Sequence, residues 1–162
     1  MENKTETYGG FWLRFIAYIL DTIIIGMVEW LLILPILAVL GMHMALADNL
    51  EHLDKADPAM IVVAALSAGS GLYLSALLVT WLYFSLFQSG PRQATPGKMI
   101  FGLVVIDSNG ARLSFARASL RYFSKFLSSA VLMIGYIIAG FNPKKQALHD
   151  MIANTFVVKK LV

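Results

Sequence analysis

The chain has 162 residues, 58% of them hydrophobic and 14% charged, with a mean hydropathy of +0.70 and a formal net charge of +3. Soluble domains average about 45–50% apolar and about 25% charged residues, so an ordinary soluble domain is excluded. The absence of cysteine excludes disulfides, thiolate metal sites and thiol catalysis together.

The apolar excess lies in long runs, which points to an integral membrane protein forming a single membrane domain over 1–162. The head, MENKTETYGG, is polar and mixed in charge. It lacks the basic start and short apolar core of a secretory signal, so the first apolar run reads as a retained span over about 11–34, continuing to 40 if Pro35 is accommodated as a kink. Tyr8 and Trp12 suit an interfacial belt.

That span carries Arg14, Asp21 and Glu29. Arg14 and Asp21 lie two helical turns apart on nearly one face, about 10 Å along the axis and too far for a relaxed ion pair. A central acid costs about 2.5–3.5 kcal/mol on the insertion scale, and each Leu, Ile, Phe or Val returns about 0.3–0.6. The fourteen such residues of the run return about 4–8 kcal/mol, while Asp21 and Glu29 together cost about 5–7. Such a helix must hide its acids against protein or a wet cavity. Glu29 points about 80° away from Asp21 and reaches towards the outer interface.

Between the first two runs, Asp48, Glu51, Asp54 and Asp57 oppose Lys55 alone. After residue 90, ten Lys/Arg oppose only Asp107 and Asp150, a surplus of eight positive charges. The positive-inside rule then places 41–59 outside, and the N-terminus and basic C-terminal half on the cytoplasmic side of the cell membrane. Nucleic acid is not an expected partner, since these charges flank apolar segments and carry no nucleic-acid motif.

The second span covers about 60–87, a charge-free run longer than the roughly 20 residues a crossing needs. Asp57-Pro58 resembles a cap followed by proline at the first helical position. Ser67, Gly71 and Ser75 recur every four residues, a small-residue stripe suited to close helix packing and to a homo-oligomer.

The cytoplasmic insert follows. Thr95-Pro96 marks a short helical turn, read as a helix start beside lipid headgroups. A phosphate-loop reading of TPGKM fails, because Arg92 and Met99 stand where that pattern needs glycine and Ser/Thr. FGLVVID, SNG and ARLS predict a β-hairpin over about 101–114, to which the distant NTFVVKK adds a third strand.

Arg117, Arg121 and Lys125 fall four apart, a basic stripe opposite Leu120, Phe123 and Leu127. This is the pattern of an interfacial helix, with the stripe facing anionic lipid. The next run, 126–141, is short for a crossing. It reads as a re-entrant helical hairpin turning near Ser128-Ser129, with a third span as the alternative; interfacial and re-entrant helices thus occupy about 115–141, ahead of a C-terminal segment over 142–162. The fold class is therefore an α-helical membrane protein of two full spans plus this segment, with a small cytoplasmic β-hairpin joined by a C-terminal strand.

GFWLRFIAYILDTIIIG, QATPGKMIFGLVVIDSNGARLSFARASLRYF and FNPKKQALHDMIANTFVV together resemble the RDD family of small multi-pass membrane proteins. Arg14, Asp21 and Asp150 match the arginine and two aspartates of that family. The resemblance implies a protein of the cytoplasmic membrane, with a suggested transport role and cation/proton exchange in some members. If the C-terminal segment returns to the cytoplasmic face, Asp150 comes within reach of Arg14, giving a polar site with Asp21 deeper and His149 as a secondary candidate for tuning it.

Two functions follow as expectations. One is a small cation/proton antiporter or permease, with Asp21 alternating between proton and monovalent cation. The other is a non-catalytic adaptor binding anionic lipid or a larger membrane partner. An enzyme is not expected, nor a metal or cofactor: His43, His52 and His149 are scattered, and His149 reads most simply as a surface residue.

Overall fold

The computed structural model describes residues 6–46, 57–130 and 134–160. Three strands, β1 (Glu6–Tyr8), β2 (Leu103–Asp107) and β3 (Thr155–Lys160), and six helices are present among them. The helices are α1 (Phe11–Leu46), α2 (Pro58–Ser89), α3 (Pro96–Ile100), α4 (Phe115–Ala130), α5 (Ile134–Phe141) and α6 (Leu148–Ile152). The chain divides into two compact units, one of 1–23 with 81–162 and one of 24–80.

Two helices are long and apolar enough to cross a bilayer, over Phe11–Val39 and Ile61–Ser89. Both exceed their expected limits, and Pro35 lies inside α1. Asp57 caps α2 as its sequence suggests, its Oδ1 accepting from the Ala59 amide at 2.9 Å.

Within the second unit most exposed side chains are apolar, such as Leu31 (76% exposed) and Leu66 (68%), with Asp57, Ser67, Ser70 and Ser75 also exposed. Glu29 is half-buried there and accepts a hydrogen bond from the Thr80 hydroxyl at 3.2 Å. The acidic segment with Asp48, Glu51, Asp54 and His52 lies outside the described residues, as does the His43 side chain.

In the first unit the sheet order is β1-β3-β2, both pairings antiparallel. The expected hairpin is corrected here. ARLS contributes only a single bridge, Arg112 to Ile106, and the C-terminal strand takes the centre of the sheet. The Asn-Gly turn does form: Asp107 Oδ1 accepts from the Asn109 and Ala111 amides at 2.9 and 2.8 Å, and Gly110 takes φ +77°. These amides and Arg117 hold the Asp107 carboxyl below its ordinary value.

Central placement explains why β3 reads as continuous TFVV. Leu103, Val105 and Val157 pack with Ala17, Leu113 and Ala118 on one face, while Val104 and Val158 pack with Ala94 on the other. The edge strand β1 arises from the polar head, where no alternation announced it. Because β1, β2 and β3 share one sheet, the stretch before α1, the insert and the last described strand come together.

α4 runs through Ser128-Ser129 to Ala130 and α5 starts at Ile134, so the turn expected near Ser128-Ser129 is not formed at those two residues; 131–133 lie outside the described residues. α5 has eight residues, about 12 Å of rise. The segment leaves from β2 and returns to β3, which pair with each other.

Candidate functional site

Asp21 is fully buried, and three neutral donors converge on it. Thr95 Oγ1 donates to Oδ2 at 2.5 Å, the Gly97 amide to Oδ1 at 2.7 Å and the Tyr83 hydroxyl to Oδ1 at 3.0 Å. The Thr-Pro-Gly sequence is built for this contact. Pro96 at the first helical position has no amide to leave unpaired, so the next free amide, that of Gly97, meets the acid. Glycine is required by proximity: a Cβ on Gly97 would stand 2.3 Å from the Ala17 carbonyl oxygen and 2.8 Å from Asp21 Oδ1. The expected docking of this helix start beside headgroups is thereby corrected, since it docks on α1.

Asp150 forms a second hub, also fully buried. Arg14 donates to its Oδ2 at 2.5 Å, and Arg121 grips Oδ1 through Nε at 2.8 Å and a second guanidinium nitrogen. The Ala147 amide adds a bond to Oδ2 at 3.2 Å, fixing the carboxylate at the start of α6. Burial alone would raise the Asp150 carboxyl, but Arg121, His149 and Arg14 overcome it and hold the group well below the carboxylate range.

Arg14 does more than neutralise. Its Nε donates to the Gly9 carbonyl at 2.9 Å and another nitrogen to the Val157 carbonyl at 3.4 Å, so one guanidinium ties the entry to α1, the start of α6 and the central strand. Arg14 and Asp150 therefore meet, while Asp21 is bonded to different segments.

The basic stripe is corrected. Arg121 is 2% exposed, and its remaining nitrogen donates to Gln88 Oε1 at 2.5 Å. The Lys125 ammonium sits 3.8 Å from the centre of the Phe84 ring, and Arg117 pairs with Asp107 at 3.1 Å. Leu120, Phe123 and Leu127, the opposite face, are exposed. α4 is thus inverted relative to a helix in water, its polar face inside and its apolar face out. His149 is corrected likewise: it is 6% exposed, with Nε2 3.3 Å from Asp150 Oδ1 and Nδ1 3.5 Å from Ser128 Oγ. Burial pushes its pKa down to about 3, with Arg121, Lys125 and Lys98 adding to that and Asp150 opposing it.

A cavity of about 390 Å³ lies between these hubs. Arg14, Lys98, Arg121, Lys125 and His149 line it beside Asp21, and Phe15, Tyr18 and Phe84 form an apolar wall. Among the described residues no cluster of His, Asp or Glu is placed to hold a metal ion.

Sequence reasoning missed Tyr83, Gln88, Thr95, Gly97 and Lys98 as parts of this arrangement. One signal was available: a mid-span acid needs donors, and Thr-Pro-Gly offers a hydroxyl and an unpaired amide in three residues.

The RDD family model matches residues 8–154. The uncharacterized protein YxaI of Bacillus subtilis (strain 168) is 34% identical over 155 residues, covering 96% of this chain and 99% of that protein. The uncharacterized membrane protein YteJ of the same organism is 33% identical over 159 residues, covering 97% of this chain and 84% of its own length. No solved structure matches the chain. Matched by that family model over most of its length, and about one-third identical to both relatives across nearly the whole chain, the chain belongs to the RDD family.

Proposed function

We propose that the protein is a non-catalytic adaptor of the cell membrane, spanning it twice, whose arginine and two aspartates fasten a cytoplasmic sheet and its flanking helices to the first span. One observation carries this reading: both carboxylates are fully buried and already occupied, Asp21 by three neutral donors and Asp150 by two arginines. An exchanging acid must release its partners to bind a cation, and removing one partner of a buried ionic contact costs about 3–5 kcal/mol. The cavity beside Asp21 is lined by four bases, which repel a monovalent cation.

The inverted α4 and the apolar flanks of both long helices support embedding in lipid. They leave surface for bilayer or for a second copy of the chain, so a homo-oligomer belongs to the proposal. The charge asymmetry supports a cytoplasmic sheet.

The rival reading is cation/proton exchange through Asp21, and flux decides between them. The purified protein in sealed liposomes, tested with Na⁺, K⁺ and Li⁺ across a range of pH and beside a known exchanger as control, is expected to match empty vesicles. Exchange above that background which disappears in a correctly inserted Asp21→Asn variant would overturn the adaptor reading.

A further inference from the structure

Lys98 lies on the five-residue α3 and is 93% buried by its 7% exposure. It donates no hydrogen bond and makes no ion pair among the described residues, yet its side chain lines the cavity. An ammonium held among other bases is costly unless an anion joins it. The neighbouring α3 amide is spent on Asp21, and the remaining cavity bases add repulsion. Four bases, Arg14, Lys98, Arg121 and Lys125, stand against the two carboxylates Asp21 and Asp150, a surplus of two positive charges when both lysines are protonated. Among the described residues, the cavity lining thus carries more positive than negative charge.

Its walls describe the rest of the ligand. Phe15 and Tyr18 line the cavity and are also 46% and 50% exposed on the outer side of α1, within a stretch apolar enough to cross a membrane. Several bases converging from separate helices suit an anion with charge spread over several oxygens. At a membrane surface the abundant anion of that kind is phosphate.

We propose that this cavity binds a phosphate group, with Lys98 as its principal donor, Lys125 beside it and the Phe15–Tyr18 wall accommodating an attached apolar chain. The inference rests on the adaptor reading and supplies its ligand class. Burial, then Arg121 and Lys125, push Lys98 well below the ordinary lysine range, and burial with Arg121 pushes Lys125 down to about 7, against Asp150 and Asp21. A bound phosphate restores both charges, so binding strengthens as pH falls towards 7 and below. His149 stays neutral in that range because its own value is about 3.

The test is thermal unfolding of the full chain in a neutral detergent, titrated with short-chain phosphatidylglycerol, short-chain phosphatidylcholine or inorganic phosphate. A ligand that binds only the folded state raises the midpoint. The expected result is a rise with phosphatidylglycerol and none with phosphatidylcholine. Lys98→Met is expected to unfold at or above the wild-type temperature without ligand and to bind about tenfold more weakly or worse, ~1.4 kcal/mol; Lys98→Arg is expected to keep most of the affinity. Should Lys98→Met yield no folded protein, Lys125→Gln serves the same comparison. If inorganic phosphate reproduces the whole shift, the phosphate site stands and its source is free phosphate. No shift with either phosphate, or an equal shift in wild type and the lysine variants, overturns the proposal. Flux in liposomes would sink the adaptor reading and leave this titration unchanged, so the two fail separately.

Discussion

Gly97 shows how one missing side chain organises the protein. Its amide reaches Asp21 at 2.7 Å because nothing projects from its Cα into the Ala17 carbonyl. Gly97→Ala forces a backbone shift at a fully packed contact, where overpacking costs typically about 1–3 kcal/mol. It also lengthens a bond to a buried carboxylate, and a hydrogen bond to a charged group contributes about 1.5–3 kcal/mol. The expected outcome is a clearly lower unfolding temperature in detergent, whereas Gly140→Ala, where an added Cβ meets nothing within 4 Å, is expected to change little. An unchanged midpoint in Gly97→Ala would mean that α3 does not hold Asp21 in this way. At this scale the sequence was partly readable. The need of Arg14, Asp21 and Asp150 for partners followed from the cost of burying charge in an apolar run. Their identities did not, because Thr95 and Gly97 are 74 and 76 residues from Asp21 and neither carries charge.

α4 shows why a periodic pattern fixes a helix before it fixes which face is inside. Arg117, Arg121 and Lys125 recur every four residues whether they meet headgroups or a buried acid. The deciding feature was the other face: Leu120, Phe123 and Leu127 are exposed, which is costly in water and costs nothing in the lipid of the proposed embedding. Partners for Arg121 existed in Asp150 and Gln88, but the return of α6 beside α4 is a long-range contact that no local pattern encodes. β2 and β3 were readable for the opposite reason, since their branched runs and the Asn-Gly turn act locally. The inversion is checked by spin labels. The cysteine-free chain accepts single cysteines at Phe123 and Leu127, and in vesicles both are expected to be relaxed more by oxygen than by a water-soluble nickel complex. A label at Ser114, exposed at the start of the helix, is expected to show the reverse. Nickel dominance at Phe123 and Leu127 would return α4 to an aqueous surface.

For the molecule as a whole, the buried basic groups set the direction in which pH acts. His149 titrates at about 3 when folded against an ordinary 6.5. Between those values the unfolded chain binds a proton that the folded chain refuses, so stability falls as pH falls through this window. Asp150, held well below its ordinary 3.8, adds a loss with the same sign below that value. Lys125 titrates at about 7 against 10.5, and Lys98 is lowered likewise. From about pH 7 to pH 10.5 the unfolded chain again holds more protons, so stability rises with pH there too. Each proton in question contributes at most ~1.4 kcal/mol per pH unit. The ligand-free protein in detergent is therefore expected to unfold at progressively higher temperature from about pH 5 to about pH 9, in contrast to the usual maximum between about pH 5 and 8. His149→Gln is expected to flatten the acidic part of the curve and Lys98→Met the alkaline part. A maximum near neutrality in wild type would show that these side chains reach solvent. Added phosphate ligand should lift the curve more at pH 7 and below than near pH 9, because binding strengthens as Lys98 and Lys125 gain their protons.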